Sequence, residues 1–267
     1  MNASSLSVIV KTFDEPDSLR RVLESLLGAP QAPKEVLIAD DGSGPATADV
    51  IQAARTQGNL PLHHLWQENR GFRPAPILNR AIAQASGDYC VFLDGDCVPA
   101  KSFVADHAAL AETDCFVQAR RAFVKEPAVP SFLRGERGFA ALALRGQASG
   151  VLKALRTPRP VVRRNTEMYG VLGCNVGVWR KDLLAINGFD EAYEGWGRED
   201  SDLALRLYHL GRVRKFVHGR ALVYHLNHPP RSRDRLKTND DLLEASRREK
   251  RIRCQRGLDQ YLGIPAS

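Results

Sequence analysis

Apolar runs of strand length alternate with stretches in which apolar residues recur every three or four positions. Residues 6–10 form the first run. A helical stripe of Leu19, Val22, Leu23, Leu26 and Leu27 follows, ended by Gly28 and Pro30. Asp14 stands where a helix cap belongs, with Pro16 and Asp17 in the first turn. Residues 35–39 read as a second strand, 46–57 as a helix, 62–66 as a third strand, 77–85 as a helix and 89–93 as a fourth strand. Strands separated by helices predict right-handed crossovers and a mostly parallel sheet in an α/β fold.

Each of these strands runs into a polar loop: Thr12-Phe13-Asp14-Glu15, Asp40-Asp41-Gly42-Ser43, Gln67-Glu68-Asn69-Arg70-Gly71-Phe72-Arg73 and Asp94-Gly95-Asp96. Ligands of open α/β sheets bind outside the carboxyl ends of the strands, so the four loops are expected to converge on one crevice of nucleotide-binding type. In the fourth loop, Asp94 and Asp96 are separated by one glycine. Along extended backbone such residues point the same way, roughly 6.5–7 Å apart at Cα, and repel unless a cation sits between them. Oxygen ligands at a strand end suit Mg²⁺ or Mn²⁺ held together with substrate phosphates. A lone pair of this kind is more often a solvated acidic turn; the buried strand before it and the neighbouring loops favour a site.

The alternation breaks between residues 120 and 165. Pro127, Pro130, Pro158 and Pro160 bracket a segment, 132–155, in which apolar residues are interrupted by Arg134, Arg137, Arg145 and Lys153. It reads as helical and mobile: a lid, an acceptor-binding insertion or a face for lipid headgroups, weighed against a plain surface helix. Beyond it come Tyr169 to Trp179, a helix over 181–186, and a helix opening at Glu199 with Leu203, Leu207 and Leu210 on one face. Strands over 213–217 and 221–224 lead to His225 and His228, and residues 231–256 read as a charged, solvated helix. Asp202 and Arg206, four apart, are placed to pair.

The net charge of +7 favours anionic partners, nucleotide phosphates and acidic glycans among them. No helix-turn-helix, aromatic-rich RNA motif or zinc pattern accompanies it, so nucleic acid is not an expected partner. Five scattered cysteines without C-x-x-C argue against a disulfide framework and fit a reducing cytoplasm. No apolar run reaches the ~18 residues of a membrane span. A cytoplasmic protein is expected, with room for peripheral contact at the inner face of a membrane.

Taken in order, the four loops and Gly195-Trp196-Gly197-Arg198-Glu199-Asp200-Ser201-Asp202 resemble family 2 inverting glycosyltransferases of the GT-A fold, with their Rossmann-like central sheet. The last element and the late histidines are similar to the galactosyltransferase and chondroitin-polymerase branch. The resemblance implies one domain over 1–267. Residues 1–119 would bind the nucleotide sugar, 120–165 form a variable insertion, 166–230 the acceptor and catalytic half, and 231–267 a charged helical tail.

It further implies transfer of a hexose or N-acetylhexosamine from a UDP-sugar to a glycan or glycolipid, aided by Mn²⁺ or Mg²⁺. Asp200 would be the base and Glu199 would orient sugar hydroxyls. Thr12, Asp14 or Glu15, and Asp41 or Asp40, would bind the nucleoside. Asn69, Gly71 and Arg73 would border the nucleotide, Arg73 meeting phosphate. Asp96 and His225 would hold the metal, with His228 in reserve. Asp94 would face ribose, donor sugar or metal; Gly173 and Asn175 would meet the sugars, and Trp196 would stack on one. Where relatives often carry an alanine-arginine-asparagine triplet, this chain has Ile77-Leu78-Asn79, which leaves Arg73 or Arg80 to replace the arginine. A haloacid-dehalogenase-like phosphatase and a non-catalytic glycan-binding protein are the alternatives.

Overall fold

The computed structural model describes residues 5–58, 60–229 and 232–263. Its first half alternates as expected: β1 (Leu6–Thr12), α1 (Pro16–Leu27), β2 (Glu35–Asp40), α2 (Pro45–Thr56), β3 (Leu62–Trp66), α3 (Pro74–Gln84) and β4 (Tyr89–Asp94). All three helices begin on a proline, whose fixed φ and missing N–H suit a first helical turn. This is why α3 starts ahead of its apolar stripe, at Pro74 rather than residue 77. Asp14 does not cap α1. Its backbone is left-handed (φ 48°), its N–H donates to Ser43 Oγ (2.9 Å), and its Oδ1 accepts from the Gly44 N–H (2.8 Å). It ties the first loop to the second instead.

The remaining elements are β5 (Cys97–Pro99), α4 (Phe103–Leu110), β6 (Cys115–Ala119), β7 (Arg121–Val124), α5 (Val129–Leu133), α6 (Phe139–Leu144), β8 (Ala148–Ser149), β9 (Val161–Asn165), β10 (Val176–Trp179), α7 (Arg180–Ile186), α8 (Glu199–His209), β11 (Val213–His218), β12 (Val223–Leu226) and α9 (Leu236–Arg248). Eight strands form the central sheet in the order β3-β2-β1-β4-β10-β6-β11-β9. The run from β3 to β4 is parallel, β10 runs antiparallel to β4 and β6, and β11 returns parallel to β6.

Side chains alternate across this sheet with the period of two that extended backbone imposes. Val8, Val10, Val36, Ile38, Val91 and Leu93 face α1, α2 and α4, while Ile9, Leu37, Ala39, Cys90 and Phe92 face α3, α7 and α8. In α1, Leu19, Val22, Leu23 and Leu26 are buried, each worth about 1.5–3 kcal/mol over exposure, and Leu27 is only partly covered.

A smaller sheet, β5-β12-β7-β8, was not anticipated. Its strands β7 and β8 come from the segment expected as an insertion, and β12 overlaps the strand expected over 221–224. Pro127, Pro130 and the left-handed Gly135, Gly146 and Gly150 break the insertion into short helices and strands. It is anchored by Leu142, fully buried, and by Phe139 stacked on Tyr224 with ring centroids 4.5 Å apart. Nor is α9 simply solvated. Asn239 on its buried face donates to Glu194 O (3.1 Å) and Gly197 O (2.8 Å), holding the loop that precedes α8. Pro230 and Arg231 lie outside the described residues.

Candidate active site

Parallel pairing of β1, β2 and β4 brings three of the loops together. The Asp41 N–H donates to Thr12 O (3.0 Å) and the Gly95 N–H to Lys11 O (2.7 Å). A Cβ on Gly95 would stand 3.1 Å from Lys11 O and from Thr12 Oγ1, so glycine lets the turn between Asp94 and Asp96 lie close against β1 without crowding it. The result is a cleft of about 300 Å³ at the carboxyl ends of the strands. Asp41, Asp96 and Asp200, far apart in the chain, all line it.

Of the residues expected there, Thr12, Glu15, Asp41, Asp94, Asp96, Gly173, Trp196, Glu199, Asp200 and His225 line the cleft. Of the pair, Asp41 faces the cleft, its Oδ2 taking the Arg73 N–H (2.8 Å) and its Oδ1 the Gln67 amide (2.5 Å). Asp40 turns inward, accepting from the Ser43 N–H (2.8 Å) and meeting His64 Nε2 at 2.9 Å. Asp14, Asn69, Gly71 and Arg73 do not line the cleft. Asn69 Oδ1 accepts the Gly71 N–H (3.1 Å), and the Arg73 guanidinium donates to Glu68 O (3.3 Å).

Asn175 is fully buried behind the site, donating to Ala221 O (2.7 Å) and meeting His107 Nε2 at 2.9 Å; it has no amide left for a sugar. Neither Arg73 nor Arg80 replaces the missing arginine. Arg80 donates to Trp66 O (2.9 Å), and Asn79 is buried against Phe189 and Glu191. The cleft's fixed cations are Lys11, Arg121 and Arg233, set against the carboxylates Glu15, Asp41, Asp94, Asp96, Glu199 and Asp200. Phe13, Phe72, Leu172 and Cys174 complete the apolar lining that sequence reasoning missed. Lys11 was discernible in principle, as a charge near the end of an otherwise apolar strand.

His225 reaches Asp96 because β12 pairs antiparallel with β5, His225 opposite Cys97, while the Leu226 N–H donates to Asp96 O (2.9 Å). Asp96 Oδ2 lies 3.1 Å from His228 Nε2 and 3.5 Å from His225 Nε2. Burial would raise the Asp96 carboxyl, but both histidines outweigh it and hold it below its ordinary range. Its bond to Asp96 pushes His228 up to about 9, so a cation bound there has to displace its proton, while burial lowers His225. Asp96 Oδ1 and His225 Nδ1 are buried without partners among the described residues. The three donor groups fit a divalent cation: their ligand atoms all lie within 4.8 Å of one another, and the acids around them outnumber the bases. Asp94 is not part of that cluster; its Oδ1 meets Lys11 Nζ at 3.1 Å.

Across the cleft, the left-handed Gly195, Gly197 and Arg198 swing the chain into α8, whose first two residues are Glu199 and Asp200. The Asp200 carboxylate accepts the Gly173 N–H, and any side chain at residue 173 would collide with it. Burial and the neighbouring Glu199 push Asp200 up to about 8, with Lys11 pulling the other way. Burial likewise raises Glu199. Lys11 itself, which burial alone would lower, is held protonated by Asp94, Asp200 and Glu199. Trp196 is 38% exposed, with the Arg233 guanidinium 5.1 Å from its ring centroid.

Residues 7–181 match the profile of glycosyl transferase family 2, and residues 156–229 that of the N-terminal domain of galactosyltransferase. Validoxylamine A glucosyltransferase of Streptomyces hygroscopicus subsp. limoneus is 27% identical over 76% of this chain and 48% of its own length. Hyaluronan synthase of Pasteurella multocida is 25% identical over 84% of this chain and 25% of its own. The chain thus spans at most about half the length of these relatives. Among solved structures, S. aureus TarS 1–349 in complex with UDP-GlcNAc superposes with a TM-score of 0.67 at 18% identity, covering 96% of this chain and 69% of that one. The mannosyltransferase PcManGT from Pyrobaculum calidifontis, in complex with GDP-Man and Mn²⁺, gives 0.58 at 21% identity over 97% and 67%. The structural likenesses carry the GT-A fold, and the family match displaces the phosphatase alternative. On its sequence and its fold, the chain belongs to glycosyl transferase family 2.

Proposed function

We propose that this chain is a divalent-cation-dependent inverting glycosyltransferase. It moves a hexose or N-acetylhexosamine from a UDP-sugar to a hydroxyl of a glycan or glycolipid, forming a β-linkage. The observation that carries this reading is the meeting in one cleft of Asp41, the clustered donor groups of Asp96, His225 and His228, and the buried carboxylate of Asp200. Similarity to proteins whose structures hold UDP-GlcNAc, or GDP-Man with Mn²⁺, supports the donor class.

In this reading Thr12 and Asp41 bind the nucleoside, Phe13 and Phe72 wall it, and Arg121 and Arg233 face the diphosphate. A divalent cation held by Asp96, His225 and His228 supplies neutralisation of the charge that builds on the leaving nucleoside diphosphate. Two imidazoles in that set favour Mn²⁺ over Mg²⁺. Trp196 offers a face for a sugar ring and Glu199 accepts from its hydroxyls. The acceptor oxygen attacks the anomeric carbon, the bond to the diphosphate breaks, and its electron pair leaves with UDP. Asp200 takes the proton of the attacking hydroxyl. Lys11, permanently charged, stabilises Asp200 in the ionised state this requires.

A panel of UDP-, GDP- and dTDP-sugars, assayed for nucleotide release with Mn²⁺ or with a chelator, tests the proposal. UDP-hexose turnover that disappears with chelator, and in Asp96→Ala, is the expected result. Turnover indifferent to both would remove the cation from the account.

A further inference from the structure

A second groove, of about 280 Å³, adjoins the cleft and shares Arg121 and Leu172 with it. The shared residues flank Asp200's contact: Leu172 precedes Gly173, whose N–H the carboxylate accepts. A molecule lying in the groove would therefore reach the base past its own wall. Five cations line the groove, and Glu167 is its single carboxylate. Arg163 answers Glu167 at 2.6 Å, and Arg214 is spent on Asn165, Gln118 and Tyr169 O.

Arg120 and Lys153 are left, with no carboxylate in ion-pair range among the described residues, whereas Arg121, on the wall shared with the cleft, donates to Cys174 Sγ (3.4 Å) and feels the Asp94 carboxylate. Arg120 instead lies over the Phe216 ring (4.4 Å) and Arg121 over Phe123 (5.1 Å). His218 beside them is held below its ordinary range by burial and by the fields of Arg120 and Lys153. Tyr169, 92% exposed at the groove, presents a bare aromatic face.

We infer that this groove binds the acceptor and that the acceptor is an anionic saccharide, bearing either uronate carboxylates or phosphodiesters. Two uncompensated cations, Arg120 and Lys153, beside an exposed aromatic ring match the charge and the apolar face of such a sugar chain. The inference rests on the transfer reading above. The exposed Leu152, Leu155 and Val161, which would suit a membrane surface, do not line this groove.

The test is calorimetric titration of the whole chain with three probes: a uronate-bearing tetrasaccharide, a glycerol-phosphate oligomer and neutral cellotetraose. Titration with UDP and Mn²⁺ reports separately on the donor site, so failure of the transfer reading is visible by itself. Either anionic probe should bind at least about tenfold more tightly than the neutral one and weaken with salt, and which one binds identifies the charged group. Lys153→Glu, and independently Arg120→Gln, should weaken that binding about tenfold while UDP affinity is unchanged. Equal binding of neutral and anionic probes, indifference to both variants, or binding only to vesicles of anionic lipid would overturn the inference.

Discussion

In the proposed mechanism the chemistry turns on Asp200, whose environment makes a pH-dependent signature. A base pushed up to about 8 by burial and Glu199 must lose its proton to act, so kcat/KM should climb with pH and level off above that value. The same shift acts on stability in the opposite sense. The folded state holds the proton more firmly than the unfolded chain, so this contribution is full at low pH and is lost as pH rises through about 8. Asp200→Asn should therefore raise Tm over wild type, and by more at high pH than at low. Scanning calorimetry should show that margin growing by at least about 2 °C between roughly pH 5 and pH 8.5. A margin constant with pH would contradict the assigned burial. Asp200 was singled out through the resemblance to family 2 transferases, and the fold places it in the cleft. The inward setting of Asn175 and Asp40 was not legible, since a buried amide and a buried carboxylate read the same as exposed ones until their partners across the fold are known.

Elements with a single period were read well, and those made by distant pairing were not. The period-two faces of β1, β2 and β4 and the helical stripe of α1 are local properties, visible in any window of ten residues. The smaller sheet exists only because β12 lies between β5 and β7, a pairing that no local pattern announces. That pairing is also what delivers His225 to Asp96. Within α8, Asp202 and Arg206 do pair, at 2.6 Å and fully buried, and Arg206 also donates to Ile186 O (2.7 Å) and Gly188 O (2.8 Å). The guanidinium thus fastens α8 to the end of α7. Arg206→Ala should cost about 3–5 kcal/mol in urea unfolding, because it strands Asp202 as a buried charge. A loss below about 1 kcal/mol would mean that α8 is held by its apolar face alone.

At the scale of the molecule, two layers of helices fix a sheet whose strand ends line one side of the cleft, while the second half folds back to bring His225 and Asp200 to it. Neither half contains the site alone. The positive charge read from composition is likewise resolved in space. The cleft itself is acidic and suited to a cation, whereas unpaired basic groups gather in the adjoining groove. All five cysteines are free and buried, and among the described residues no helix is long and apolar enough to cross a membrane. The most direct test of the account is to measure sugar transfer and UDP–Mn²⁺ affinity side by side in wild type and Asp200→Asn. Transfer should fall by about 10²–10⁴-fold while UDP affinity stays within about twofold, as expected when a general base is removed from an intact donor site. Retained transfer, or loss of UDP binding together with transfer, would contradict the claim that this carboxylate is the base facing the donor.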